Sequence, residues 1–470
     1  MTTARRFSRR LRSVLRREAQ GLLQAGPRTV QLMRPLGPQV PSDARVQQVL
    51  DLCMQVGEVL LSSGENADET TRTMLRLASA CGLSAVDVDI TFTSITMCCH
   101  RGMAAAPVTS MRLVRYRSLD LTRLAEVSSV VDRVERAELD AEGAAALLTE
   151  AVSAPHPYPR WVATTGWAGL AASIALLLGA APVTALVAFV VTALIDRTGR
   201  LLNRWGLPAF FQQVVGGMLA TGATLALFAA GVFPPGTRPS LVIAASITVL
   251  LSGLSVVGTV QDAISGYYVT AAGRGMEILL LSAGLLTGVV LSLKIGFEFG
   301  IVLEVAGELP SGAGQFSISL LASAAAAAAF SLAGYARPRP LLAAGLAGAA
   351  GWGTYGALTQ LFATGPVAAT GAAAVVVGIA TGLLRRSGSG VAPLVVTLAG
   401  ITPLLPGFTA YRGFYQLAVE GLADGLVTAT VALGIGLALA AGVAFGDFLA
   451  RPRRTPVTSV AEAPQDADRQ

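Results

Sequence analysis

At 470 residues, 53% hydrophobic and only 14% charged, with a mean hydropathy of +0.60, the chain is too apolar for an ordinary water-soluble protein. Its formal charge of +6 comes from arginine, with Lys294 the single lysine. No zinc-finger spacing or aromatic-rich basic motif accompanies that excess, so it reads as membrane orientation and not as nucleic-acid binding.

The charge is unevenly spread. Residues 1–160 carry most of it, while 161–450 are dominated by Ala, Gly, Leu and Val, so a soluble module is joined to a membrane module. Met1–Gln20 is rich in arginine (Arg5, Arg6, Arg9, Arg10, Arg12, Arg16 and Arg17) without an apolar core, which is not a signal peptide. Such a stretch either lies on anionic lipid or is solvated. Pro and Gly then mark a linker, and residues 1–42 form the leader and linker.

Asp43 reads as the N-cap of a helix through Leu61, closed by Ser62-Ser63-Gly64, and a second helix spans Ala67–Ala80 before Gly82. The alternation from Val86 to Phe92 predicts a strand, with two more at Ser94–Cys99 and Met111–Tyr116. Helices follow at Leu121–Arg136 and Glu142–Ala151, and Pro155, Pro157 and Pro159 mark the exit. Residues 43–155 are therefore expected to form a cytoplasmic α+β domain. Cys53, Cys81, Cys98 and Cys99 all fall in it, without metal-ligand spacing, and the adjacent pair is badly placed for a disulfide. Small buried thiols in a reducing cytosol are expected, with no metal and no cofactor.

Beyond Trp161 the apolar runs predict about ten transmembrane helices, each sized for a core of roughly 30 Å. They lie near 161–180, 182–195, 208–231, 240–257, 276–295, 317–335, 341–361, 366–384, 391–410 and 425–446, the second being short. With the N-terminal domain in the cytoplasm, the inside connections and tail hold Arg197, Arg200, Arg204, Arg274, Arg337, Arg339, Arg385, Arg386, Arg451, Arg453 and Arg454. The outside holds Arg238, Lys294 and Arg412, and its long loop carries Glu298, Glu304 and Glu308. This asymmetry predicts a multi-pass inner (plasma) membrane protein with both termini cytoplasmic.

The fourth-to-fifth and ninth-to-tenth spans echo one another. Leu250-Leu251-Ser252-Gly253, then Gln261-Asp262 and Gly266, parallels Leu404-Leu405-Pro406-Gly407, then Tyr415-Gln416 and Gly421. An odd five spans per half gives the halves opposite orientation, the inverted-repeat logic of secondary transporters. The boundaries expected are 156–310 for the first repeat, 311–450 for the second, and 451–470 for a disordered tail.

Asp262 is the sharpest candidate in the membrane part, because few other carboxylates fall within the expected spans. In a re-entrant break over residues 258–275 it could titrate or hold a substrate ammonium; in an aqueous loop it would cap a helix or pair with Arg274. Ser255, Thr259, Thr402 and Thr409 could hydrogen-bond a substrate near helix ends, although such hydroxyls usually bond their own helix or a neighbour. Gln212 and Gln213 carry the same two readings. Gly253, Gly266, Pro406 and Gly407 shape the breaks, and Arg412 could attract a carboxylate or simply sit at the surface. In the soluble part, Gly64, Glu65, Asp68, Glu69 and Arg72 cluster at a loop-to-helix junction. Helix-dipole stabilisation and a Glu69–Arg72 pair explain them better than acid–base hydrolysis, since His100 and His156 are the only histidines. The domain is expected to gate or regulate the membrane part.

The run Leu60-Leu61-Ser62-Ser63-Gly64-Glu65-Asn66-Ala67-Asp68-Glu69-Thr70, continued by Ala80-Cys81-Gly82-Leu83, resembles the N-terminal motif of the threonine/serine exporter family. The Val86–Thr96 strands and the helix start Asp140-Ala141-Glu142-Gly143-Ala144 match as well. So do two membrane signatures, Val260-Gln261-Asp262-Ala263-Ile264-Ser265-Gly266 and Thr402-Pro403-Leu404-Leu405-Pro406-Gly407. The similarity covers roughly residues 43–446 and has one departure, Ser252-Gly253 where the family usually has Pro-Gly. It implies a non-enzymatic exporter of threonine and serine driven by the proton gradient. Some split two-chain relatives are linked to dicarboxylate export, which stands as the alternative beside a membrane-anchored hydrolase. The partners implied are a small-molecule substrate, the bilayer and a homo-oligomer, with no nucleic acid.

Overall fold

A computed structural model describes residues 42–101, 105–114, 119–251, 253–301, 313–387, 393–417 and 422–450. The arginine-rich leader, Ser252 of the first break and the C-terminal tail lie outside them.

The N-terminal domain begins with α1 (Asp43–Ser62) and α2 (Ala67–Ala80). Ser42 caps α1, its hydroxyl accepting from the Arg45 N–H; Asp43 lies in the first turn and complements the helix dipole instead of capping it. Gly64 closes the turn with φ +95°, and Asn66 then caps α2 by accepting from the Glu69 N–H at 2.8 Å. Strands β1 (Val86–Thr91), β2 (Ser94–Cys99) and β3 (Val108–Leu113) form an antiparallel sheet in that order. Thr91 pairs with Ser94 and Ser94 with Leu113, so β3 sits earlier along the chain than the alternation from Met111 suggests. Ile90, Ile95, Met97 and Cys99 join Val49, Leu50, Cys53, Met74 and Leu77 in the domain core. Helices α3 (Leu121–Glu135) and α4 (Ala141–Ser153), capped by Asp120 and Asp140, complete it.

All four cysteines are free; Cys53, Cys81 and Cys99 are buried, and burial pushes their thiols up from the usual range. A maleimide is expected to label Cys98 readily, and Cys53 only after unfolding, as peptide mapping at rising urea would show. Early labelling of Cys53 would mean that α1 is not packed in this core.

Helices α5 (Arg160–Leu177), α6 (Pro182–Arg204), α7 (Ala209–Ala229), α8 (Ser240–Leu250), α9 (Gly253–Ile264) and α10 (Tyr268–Glu298) follow. Then come α11 (Ala313–Ala333), α12 (Pro338–Phe362), α13 (Pro366–Ser387), α14 (Pro393–Ile401) with a short 3-10 turn, α15 (Gly407–Tyr415) and α16 (Leu422–Ala450). Among the described residues, five helices are long and apolar enough to cross a membrane alone, or up to seven if α8–α9 and α14–α15 each count as one bent span. Those pairs bend by 46° and 41°. The chain is therefore a polytopic helical membrane protein with a small three-stranded domain. Two helices outrun their apolar runs: α6 continues to Arg204, and α10 begins at Tyr268. Arg274, read from the sequence as a charge in a connection, thus lies within α10 and is buried.

Each half has the same order of elements: three helices, a broken helix and a long helix. Its third helix packs on its last, α7 on α10 and α13 on α16. Glycines line both crossings, Gly217, Gly284 and Gly288 in one and Gly378, Gly442 and Gly446 in the other. A Cβ at any of them would run into backbone of the facing helix. Gly288→Val and Gly446→Val are each expected to cost about 3 kcal/mol and to lower the melting temperature in detergent. Wild-type melting would show that these crossings are looser than described. Across the halves, α5 packs on α11.

Candidate functional site

The two broken helices meet. A Cβ on Gly407, at the start of α15, would collide with the Thr248 side chain on α8. Beside that contact lies a cavity of about 230 Å³. Its wall is partly hydroxylic, with Thr248 and Ser255 from the first half and Thr402 from the second, and partly apolar, with Trp167, Ile174 and Phe330. At one end it is covered by the Ser62-Ser63-Gly64 turn of the N-terminal domain. The turn lies against α9: a Cβ at Gly258 would stand in ordinary contact, 3.5 Å from Arg274 Nη1 and 3.9 Å from the Gly64 carbonyl oxygen.

Charge holds this cover in place. Asp262, on the last turns of α9, is fully buried, and its Oδ2 accepts from Arg274 Nη1 at 2.7 Å. Its Oδ1 accepts from the Ala67 N–H at 2.7 Å, at the first turn of α2, where the helix dipole favours an anion. Arg274 Nη2 donates to the Glu65 carbonyl at 3.1 Å, and Asn66 Nδ2 donates to Gln261 Oε1 at 3.3 Å. A second contact lies at the β1–β2 hairpin. Phe92, held at φ +48°, donates its N–H to Thr270 Oγ1 at 3.0 Å, and that hydroxyl donates to the Ile90 carbonyl at 2.9 Å. Gly273 lets the Phe92 ring come close to α10.

The domain also grips the other half. The Leu121 N–H donates to the Gly334 carbonyl at 2.8 Å, and Thr122 Oγ1 donates to the Tyr335 carbonyl at 2.6 Å. His156 stacks on Tyr335 at 4.3 Å and lies 2.9 Å from the buried carboxylate of Asp120, the cap of α3. The domain therefore bridges both halves over the cavity.

Of the residues singled out from the sequence, Ser255 and Thr402 come together on the cavity, and Asp262 lies just behind it in the domain contact. Thr259 and Thr402 donate to their own helices, to the Ser255 and Leu398 carbonyls at 2.6 and 2.9 Å. Gly253 opens α9 after the first break, Pro406 caps α15, and Gly266, at φ +92°, ends α9 as the Tyr267 N–H returns to the Asp262 carbonyl. Arg412 is exposed on α15, away from the cavity wall. In the soluble cluster Glu65 is buried against the membrane part, whereas Arg72 pairs with Asp68 at 2.7 Å and not with Glu69, which faces Arg76 at 4.0 Å. The sequence reading did not single out Asn66 or the covering role of Ser62 and Ser63. Their signal was the cap itself, a turn and an N-cap displayed at a helix start.

A family model described as "Putative threonine/serine exporter" matches residues 51–296, and another, "Threonine/Serine exporter, ThrE", matches residues 319–449. A Mycobacterium tuberculosis protein named "Probable threonine/serine exporter" is 38% identical over 423 residues, 88% of this chain and 78% of that protein. The "Threonine/serine exporter" of Corynebacterium glutamicum is 35% identical over 432 residues, 90% of this chain and 87% of that protein. An Escherichia coli "Probable succinate transporter subunit YjjP" is 24% identical over 262 residues, 53% of this chain and 94% of that protein. No solved structure matches the chain. The chain belongs to the threonine/serine exporter family.

Proposed function

We propose that the chain is a secondary transporter that exports threonine and serine, with the cavity between the two broken helices as its transport site. The observation that carries this is the cavity itself: about 230 Å³, lined by hydroxyls from both halves at paired helix breaks, and covered by a docked domain. Broken helices expose backbone groups that a small polar solute can satisfy within the membrane. The repeated order of elements and the matching glycine crossings support ten spans arranged as two inverted five-helix repeats. The arginine distribution supports a cytoplasmic domain and cytoplasmic termini.

In this reading the Ser62–Gly64 turn is the cytoplasmic cover, and Asp262 is its latch. Both oxygens of Asp262 serve the docked state, one through Arg274 and one through the start of α2. Asp262 is the group proposed for proton coupling, because both contacts that hold the cover depend on its carboxylate. Thr402 and Ser255 receive the substrate, while Gly253, Gly266, Pro406 and Gly407 shape the breaks. The exposed Arg412 draws anions to the outer side. Gly64 and Glu65 hold the cover, and Asp68, Glu69 and Arg72 stabilise the start of α2.

The test is efflux from cells lacking other exporters and loaded with threonine-containing dipeptides. Faster threonine and serine release that collapses with a protonophore is expected. Release of succinate instead, with amino acids unchanged, would overturn the substrate assignment.

A further inference from the structure

A second polar cavity, of about 380 Å³, lies between α6 and α7 on the side of the membrane unit that carries the domain. Its level is fixed by Arg200 on α6, which donates to Thr164 Oγ1 near the start of α5 at 2.6 Å. Asp196 and Arg200 sit on one wall, joined by an ion pair of 2.7 Å, and Gln212 and Gln213 on α7 contribute to another. Gln213 donates its amide to the Leu250 carbonyl, at the C-terminal end of α8, at 3.5 Å. Its Oε1 is buried and accepts no hydrogen bond among the described residues. Trp167 and Val249 line this cavity and the central one alike, and the Trp167 ring meets Phe330 of the central cavity edge-on at 6.0 Å.

We infer that this cavity is a second binding site for a zwitterionic hydroxy amino acid, adjoining the transport site. The inference rests on the reading of the chain as an amino-acid exporter. The chemistry follows from the walls. A carboxylate and a guanidinium side by side mirror an α-amino acid: the substrate ammonium takes Asp196, and its carboxylate takes Arg200 as a charge-assisted pair. Gln213 lines the same cavity, and a small turn of its side chain would present the unsatisfied amide oxygen to a substrate side-chain hydroxyl, a donor that alanine lacks. A dicarboxylate fails here because one of its carboxylates would face Asp196. Trp167 and Val249, which line both cavities, stand between a substrate held in this way and the hydroxyl-lined cavity.

The experiment is equilibrium binding of radiolabelled threonine to the purified full-length chain in detergent. Wild type is expected to bind two molecules per chain. Ser255→Trp, which fills the central cavity, is expected to keep one, and unlabelled succinate should not displace it. Adding Asp196→Asn to that variant is expected to weaken the remaining site at least tenfold, the loss of one charged hydrogen bond. Gln213→Leu in the same background should weaken threonine about tenfold and leave alanine unchanged, a split that a merely structural role would not produce. One threonine per wild-type chain, or a Ser255→Trp protein that binds none, overturns the second site while the export reading stands. Wild type that binds succinate and no threonine overturns both.

Discussion

Asp262→Asn is expected to cut threonine efflux at least tenfold while the protein still inserts in the membrane. The carboxylate is fully buried and holds the Arg274 guanidinium, which is itself only 5% exposed. Neutralising it removes the anion that Arg274 pairs with and also weakens the bond to the first turn of α2. Breaking one side of a buried pair typically costs about 3–5 kcal/mol, enough to turn a docked cover into a mostly undocked one. Limited proteolysis should then cleave the Ser62–Asn66 turn, which the wild type protects. Arg274→Lys keeps the charge but cannot reach Asp262 and the Glu65 carbonyl together, so an intermediate loss is expected. Unchanged efflux in both variants would remove this latch from the mechanism.

Ser255→Trp is expected to abolish efflux by another route. The indole would occupy most of a cavity of about 230 Å³ whose wall Ser255 shares with Thr248 and Thr402. Expression, detergent melting and protease resistance should stay near wild type, which separates a blocked path from a broken fold. Efflux at the wild-type rate would mean that the substrate does not pass this cavity.

Much of this architecture was legible in the sequence, for identifiable reasons. Apolar runs longer than a bilayer needs leave little choice but helices, and Gly253 and Gly407 mark breaks because a polar segment follows each. The hairpin was legible in the alternation through Val86–Thr91 and Ser94–Cys99. What escaped was whatever depends on partners far apart in the chain. The apolar run of the second span ends at Ile195 because hydropathy falls at Asp196 itself, yet α6 continues and puts that carboxylate on a cavity. The pairing of Arg274 with Asp262 is one of the two readings the sequence offers, but its place inside α10 and its bond to a carbonyl 209 residues away are not legible there. Charged residues ended the apolar windows early because they face protein and not lipid. No local spacing shows that Asn66 and Ala67 meet Gln261 and Asp262 across 195 residues.

The central claim is that threonine occupies the space between the broken helices beneath the domain. The measurement that tests it most directly is thiol labelling of Ser255→Cys in the purified chain, with the partly exposed Cys98 replaced by Ser. Threonine should slow labelling of Cys at position 255 in a saturable way, serine should do the same, and succinate should not. Labelling that none of these solutes changes, in protein that still exports threonine, would place the substrate elsewhere and contradict the account.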